Sequence, residues 1–429
     1  MSLRIHLHGG RLIDPAQALD AVQDLYIADG RIVAIGSAPD GFHADQRLDV
    51  QGQIVCPGLV DLCARLREPG AEHKATIASE SRAAAAAGIT TVCLPPDTQP
   101  VIDTPAVLQL IHDRAALSGR LRVHPIGALT RSLKGQDLSE MNALRSAGCR
   151  AVSNAGQPVA TTRVLRRALE YAASLDLLVI VRPEDADLAD QGCVHEGPVS
   201  TRMGLRGIPH AAETVAVAQV LALIEHTGAR VHFAQISSAR SVRSIARARE
   251  KGLPVSADVA AHQLHLTDSD IEGFDALCHV RPPLRSPSDR DALREGVRDS
   301  VITAICSDHQ PHEPDAKLDA FPATEPGMAA LQTLLPLTLK LVDGGWLSLP
   351  QAIAALTSGP AAILGLEAGT LRIGAPADVC VFDATLAWTP DADTWLSAGL
   401  NTPFWGQALT GRVTRTLLAG HPVFSLDRQ

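Results

Sequence analysis

Pro57-Gly58-Leu59-Val60-Asp61-Leu62-Cys63-Ala64-Arg65-Leu66-Arg67-Glu68-Pro69-Gly70 decides the fold. A short apolar run bounded by Pro-Gly pairs reads as a buried strand, and this one runs into a cluster of charged residues. Outward from it, short apolar runs alternate with helical patterns: Ile89 to Leu94, Val123 to Ala128, Leu177 to Val181, Arg230 to Phe233, Leu253 to Ala257 and Val301 to Cys306. Such alternation suits a parallel (β/α)8 barrel better than an open sheet. Two helices stand out between the runs. One is alanine-rich, over residues 79 to 87; the other runs from Ala211 to Thr227, after the breaker Gly207-Ile208-Pro209 and before Gly228.

The two ends of the chain have a different texture. Residues 3 to 55 show short alternating runs (Leu25 to Ala28, Arg31 to Ile35) separated by turn pairs such as Asp29-Gly30 and Gly9-Gly10, the signature of hairpins. The same texture returns from about residue 370, in Gly369 to Asp383 and Val413 to Gly420. The expected organisation is a composite β-sandwich domain from residues 1–55 and 366–429, with residues 56–365 forming the barrel.

Composition narrows the function classes. The 38 basic and 47 acidic residues give a net charge of −9, with no basic run or aromatic interleaving, so neither nucleic acid nor an anionic membrane is an expected partner. No apolar run approaches the ~20 residues that span a bilayer, and the start, Met1-Ser2-Leu3-Arg4-Ile5-His6, lacks a signal-peptide layout. A cytoplasmic location is expected. Eight cysteines (Cys56, Cys63, Cys93, Cys149, Cys193, Cys278, Cys306 and Cys380) are scattered without CxxC pairs, as reduced, buried thiols would be.

The opening stretch resembles the first metal-binding strand of dihydroorotases, within the amidohydrolase superfamily, with both metal-binding histidines replaced by Cys63 and Arg65. The resemblance covers nearly the whole chain. It includes Gly88-Ile89-Thr90-Thr91-Val92, the Pro96-Asp97-Thr98-Gln99-Pro100 turn with Asp103, Gly207-Ile208-Pro209 with Glu213, and Arg281-Pro282-Pro283-Leu284-Arg285. It continues through Ser307-Asp308-His309-Gln310-Pro311-His312, Gly374 to Asp378 and Asn401-Thr402-Pro403-Phe404. The departures fall where that family does its chemistry. By the resemblance, Asn154 stands where an Asp-Asp-Gly turn supplies a carboxylate, and Arg182 and Gln235 stand where ligand histidines do. Of the ligand set Asp308 alone remains, in the position of the general base.

Those replacements bear directly on metal binding. Zinc hydrolysis needs three or four N, S or O ligands and an open position; arginine offers no lone pair. A guanidinium ~4 Å from a dication repels it by roughly 8 kcal/mol at an effective dielectric near 20. No metal and no other cofactor is therefore expected. Arg67, which holds substrate in the family, remains, but Asp97 and Arg281 replace substrate-binding asparagines. Asp308 is expected to pair with Arg65 or Arg182. Alternatively, Arg65, Arg67, Arg182 and Arg281 line an anion pocket.

Other residues have plainer readings. His262, His265, His309 and His312 could in principle build a replacement metal site with Asp308 and Cys63 or Cys306, but family members carry histidines at three of these four positions without using them as ligands. His6 and His8 read as solvated surface residues, and Cys63 as a small buried side chain. The loop from Glu313 to Pro326 corresponds to the active-site lid of relatives.

Two functions follow from the resemblance and its losses. The first is a non-catalytic relative, not an enzyme, that acts as a structural and assembly subunit for the aspartate carbamoyltransferase catalytic chain in pyrimidine biosynthesis, with homodimers inside a hetero-oligomer. The alternative is an amidohydrolase acting on a cyclic amide or related substrate through a remodelled single-metal or metal-free site.

Overall fold

The computed structural model describes residues 3–428; Met1, Ser2 and Gln429 lie outside the described residues. Strands from both ends of the chain join in one eight-stranded sheet. Ile5–Asp14, Leu19–Ala28, Arg31–Ile35 and Gln46–Asp49 come from the first end, and Val379–Trp388, Leu409–Leu418 and His421–Ser425 from the last. Ile54–Pro57 joins the two groups, pairing antiparallel with Val379–Trp388 in the register Val55↔Val381. Period-2 alternation turns Ile5, Leu7, Leu25, Ile27, Val379 and Val381 into an apolar cluster of the sheet's own.

Both glycine pairs of the first end act on the backbone, in different ways. Asp29 and Gly30 take φ of 52° and 71°, as a two-residue hairpin turn with both central residues left-handed requires. Gly9-Gly10, expected as a turn, is instead a bulge inside the single strand Ile5–Asp14, where the register against Leu19–Ala28 shifts between Leu7 and Gly10. A Cβ on Gly9 would lie 2.6 Å from Cγ of Gln51, so the strand bends there because no side chain fits.

A three-stranded and a six-stranded parallel ladder fill the eight barrel positions, because Arg122–Pro125 and Gly127–Ala128 are one strand interrupted at Ile126. The barrel strands in chain order are Leu59–Asp61, Ile89–Leu94, that interrupted strand, Ala151–Ser153, Leu178–Val181, Val231–Phe233, Val255–Ala260 and Ala304–Cys306. The last position begins later than the apolar run suggests: the amide of Thr303 already bonds to Ala257 O at 3.0 Å, and Val301 and Ile302 belong to the preceding turn. The ring closes through the parallel bridge Ala64↔His309, with Arg65 N to His309 O at 2.9 Å and His309 N to Cys63 O at 3.2 Å.

Local sequence explains the helices that cover the barrel. Ile77–Ala86 starts in a reciprocal capping box between Thr76 and Ser79. His210–Thr227 begins after Pro209 and stops at Gly228, which is left-handed at φ 66°. No helix among the described residues is long and apolar enough to cross a membrane.

Barrel and sheet meet closely at Gly88, where a Cβ would fall 2.4 Å from Sγ of Cys380 and φ is +79°. Gly52 has a similar φ of +75° with nothing within 4 Å. Both glycines replaced by alanine incur a left-handed cost of about 1–2 kcal/mol. Gly88→Ala is expected to lose roughly 1–3 kcal/mol more in urea unfolding, from overpacking; equal losses in the two variants would contradict the close approach.

Candidate functional site at the barrel mouth

Four buried acids fix the strand ends and adjoining turns at the barrel mouth, three of them at the first and last strands and Asp258 at the sixth and seventh. Asp61 accepts from the amides of Ser307 at 2.9 Å and Cys63 at 3.2 Å and from the Ser307 hydroxyl. Its pKa is pushed up to about 7 by burial, against the pull of the Ser307 hydrogen bonds. Glu80, from the alanine-rich helix, accepts from Nε2 of His309 at 2.9 Å, from the Ser397 hydroxyl at 2.6 Å and from the Ala398 amide at 3.0 Å. The amide of Ala330 donates to Nδ1 of His309 at 3.0 Å, which places that histidine's proton on Nε2. Asp258 lies 2.8 Å from Nε2 of His232 and accepts from the amide of Gln235 at 2.6 Å. None of Asp61, Glu80 and Asp258 was singled out from the sequence, although a lone acid within an apolar run is the signal that could have marked Asp61.

The fourth acid is Asp308, which is 3% exposed and held at φ 47°. Nη1 of Arg65 donates to it at 3.4 Å, the Cys63 thiol at 3.5 Å, and the Gln310 side-chain amide at 3.2 Å. Burial raises its pKa, while the charges of Arg65 and Arg182 work against that rise. Arg65 is itself 7% exposed, and its Nε donates to Asp97 at 2.7 Å. Burial alone would lower the Arg65 pKa; Asp97 and Asp308 outweigh it and keep the guanidinium firmly charged. Asp97, at the position where the resemblance implies a substrate-binding asparagine, is thus the stronger partner of Arg65.

The remaining candidate residues separate into distinct roles. Cys63, Arg65, Ser153, Arg182 and Gln235 line one small pocket. Cys63 is buried, and burial pushes its thiol pKa up, which suits the reading of a small unreactive side chain. Asn154 faces the neighbouring turn, accepting from the Thr130 hydroxyl at 2.6 Å and donating to Gln157 O at 2.8 Å. Arg67 donates through Nε to Pro311 O at 2.9 Å and lies 3.0 Å from Nε2 of His312. Arg281 grips Glu184 through Nε at 3.0 Å and Nη2 at 2.6 Å. Over the mouth, the Glu313 to Pro326 loop is held by Lys317, whose ammonium donates to Glu325 O at 2.5 Å, and by Lys74, 3.5 Å from the Glu313 carboxylate.

The family's zinc does not fit these residues. Two guanidiniums and a primary amide replace imidazoles, the thiol is held protonated by burial, and the surviving carboxylate already carries an arginine. The histidines do not rebuild the site either. His309 is bound to Glu80, His265 donates to Leu337 O at 2.7 Å, and Nδ1 of His262 is buried without a partner. Among the described residues, the groups with metal-ligand spacing are His6, His8 and Asp24, and His195, His210 and Asp289. His6 and His8, expected as solvated, are half-buried and lie 2.8 and 3.1 Å from the Asp24 carboxylate.

Breaking the central pair has a definite expected cost. Arg65→Met leaves two carboxylates facing an apolar side chain, one of them buried, and is expected to cost about 3–5 kcal/mol. Adding Asp308→Asn is expected to recover a large part of that loss in a double-mutant cycle read by urea unfolding. Strictly additive losses would mean that the two side chains do not interact.

Comparison with known proteins places this geometry in a family. Residues 52–241 match the family described as Dihydro-orotase-like, and residues 340–424 match the Amidohydrolase family. A dihydroorotase-like protein of Pseudomonas aeruginosa is 52% identical over 98% of this chain and 99% of its own length. A dihydroorotase of Syntrophotalea carbinolica is 43% identical over 99% of this chain and 100% of its own. The fold is shared with L-hydantoinase (dihydropyrimidinase) from Arthrobacter aurescens, at a TM-score of 0.88 and 22% identity over 99% of this chain and 96% of that one. The expectation that the chain is not an enzyme is corrected by the relatives: proteins 43% identical to it along essentially their whole length bear the name of an enzyme. With a (β/α)8 barrel, a β-rich sheet and these relatives, the chain belongs to the dihydroorotase-like family of the amidohydrolase superfamily.

Proposed function

We propose that this member of the family works in pyrimidine biosynthesis, in the cytoplasm, as an assembly partner of the aspartate carbamoyltransferase catalytic chain, with its own dimers linking the transferase subunits. The observation that carries this reading is Arg65, fixed between Asp97 and Asp308 at the point where the barrel closes. The ion pairs tie the rim of the barrel together, and the buried network of Asp61, Glu80 and His309 supports the family's frame beneath it. A rigid frame of this kind is what a docking partner needs.

A second reading is favoured by the names of the relatives and by the position of Asp308: hydrolysis of a cyclic amide through a remodelled site. Asp308 would take the proton from an attacking water, and Arg182 would face the developing oxyanion. Assembly and hydrolysis are separable by one substitution. On size exclusion at micromolar concentration, this chain and the carbamoyltransferase chain are expected to co-elute, and Asp308→Asn, which keeps an acceptor for Arg65, is expected to leave the complex intact. Separate elution of the two wild-type proteins contradicts the assembly reading. A cyclic-amide hydrolase activity abolished by Asp308→Asn would establish the second one.

A further inference from the structure

We propose that the guanidinium of Arg182 is the receptor of a small oxyanion, a carboxylate or a phosphate, bound inside the barrel mouth. This goes beyond the assembly reading and does not rest on it. Of the arginines at the mouth, Arg65 is held by Asp97 and Asp308, Arg67 by Pro311 O beside His312, and Arg281 by Glu184. Arg182 makes no hydrogen bond to a carboxylate among the described residues, although the charges of Glu184 and Asp308 favour its charged form. Its Nε is buried with no hydrogen bond, and Nη1 makes only a 3.4 Å contact with Arg281 O. A buried guanidinium N–H left without an acceptor is expensive, and the Nε of Arg182 is one that a bound water or an anion would satisfy.

The surroundings are those of a built receptor. Arg182 follows the strand Leu178–Val181 and lines both the inner pocket, with Cys63, Arg65 and Gln235, and the outer cleft, with Asn154 and Glu184. Gly156 lets the guanidinium lie flat on the backbone: a Cβ there would be 2.3 to 2.5 Å from Nη2, Cζ and Nε. The side chain is thereby oriented before any ligand arrives, and its planar fork matches two oxygens of a carboxylate or phosphate. The carboxylates nearest Arg182 are hydrogen-bonded elsewhere: Asp97 and Asp308 accept from Arg65, and Glu184 from Arg281. Gln235 and Ser153 supply neutral polar groups on the same pocket wall, and the lining is otherwise largely apolar, which limits the ligand to a small anion or to one with a short apolar body.

The test is calorimetric titration of the full-length protein, in an anion-poor buffer, with inorganic phosphate and separately with acetate. Saturable 1:1 binding of at least one probe is expected, and which of the two binds identifies the source of the oxyanion. Affinity is expected to fall at least tenfold in Arg182→Met and to stay within twofold in Arg202→Met, an exposed arginine that bridges Glu272. Arg182→Lys, which keeps the charge and loses the fork, provides a second variant should the methionine substitution fail to fold; it is expected to bind more weakly than wild type. No saturable binding of either probe, or unchanged affinity in the Arg182 variants, overturns the proposal and assigns the buried Nε to water.

Discussion

The Arg65 guanidinium, caught between Asp97 and Asp308, is the interaction on which the barrel mouth depends. A charge this deeply buried persists only where its desolvation is offset by well-placed opposite charge, and here two strand ends and the turn carrying Asp97 provide it. The pair sits at the seam where the first and last strands meet. Arg65, at a position where the resemblance leads one to expect a ligand histidine, supplies positive charge at this seam.

That substitution has consequences for every neighbour. Asp308 can stay deep in the core because Arg65 and Gln310 satisfy it, and Cys63 is small enough to leave room for the guanidinium beside it. A layer of acids that never meets the pocket carries the architecture: Asp61 ties the first strand to the turn after the last, Glu80 fixes His309, and Asp258 fixes both His232 and the Gln235 amide. The layer is separate from the pocket, so the fold survives while the residues above it change. The same separation lets one family hold different chemistry on one frame.

Much of this was legible in the sequence, and the rest escaped for identifiable reasons. The barrel could be read because most of its strands are buried apolar runs between helical patterns, and the helix at His210–Thr227 because Pro209 and Gly228 mark its ends. The fourth barrel strand, Ala151–Ser153, was missed because three residues between Arg150 and Asn154 carry no period. Gly9-Gly10 looked like a turn because a bulge and a turn call for the same glycines. The replaced positions Cys63, Arg65, Arg182 and Gln235 were visible by resemblance, and they do converge on one pocket. Their partners were not visible: nothing in a linear sequence says that Asp97 reaches back to Arg65, that Glu184 occupies Arg281, or that Asp24 gathers His6 and His8. Pairing of this kind is decided by tertiary distance.

The most direct test of the account is anomalous diffraction at the zinc absorption edge, from crystals of the full chain grown in the presence of zinc. The account predicts continuous density for Arg65 between Asp97 and Asp308, with no zinc peak within the pocket bounded by Cys63, Arg65, Arg182 and Gln235. A zinc peak on the Asp308 carboxylate, with Arg65 swung out of the seam, would contradict it.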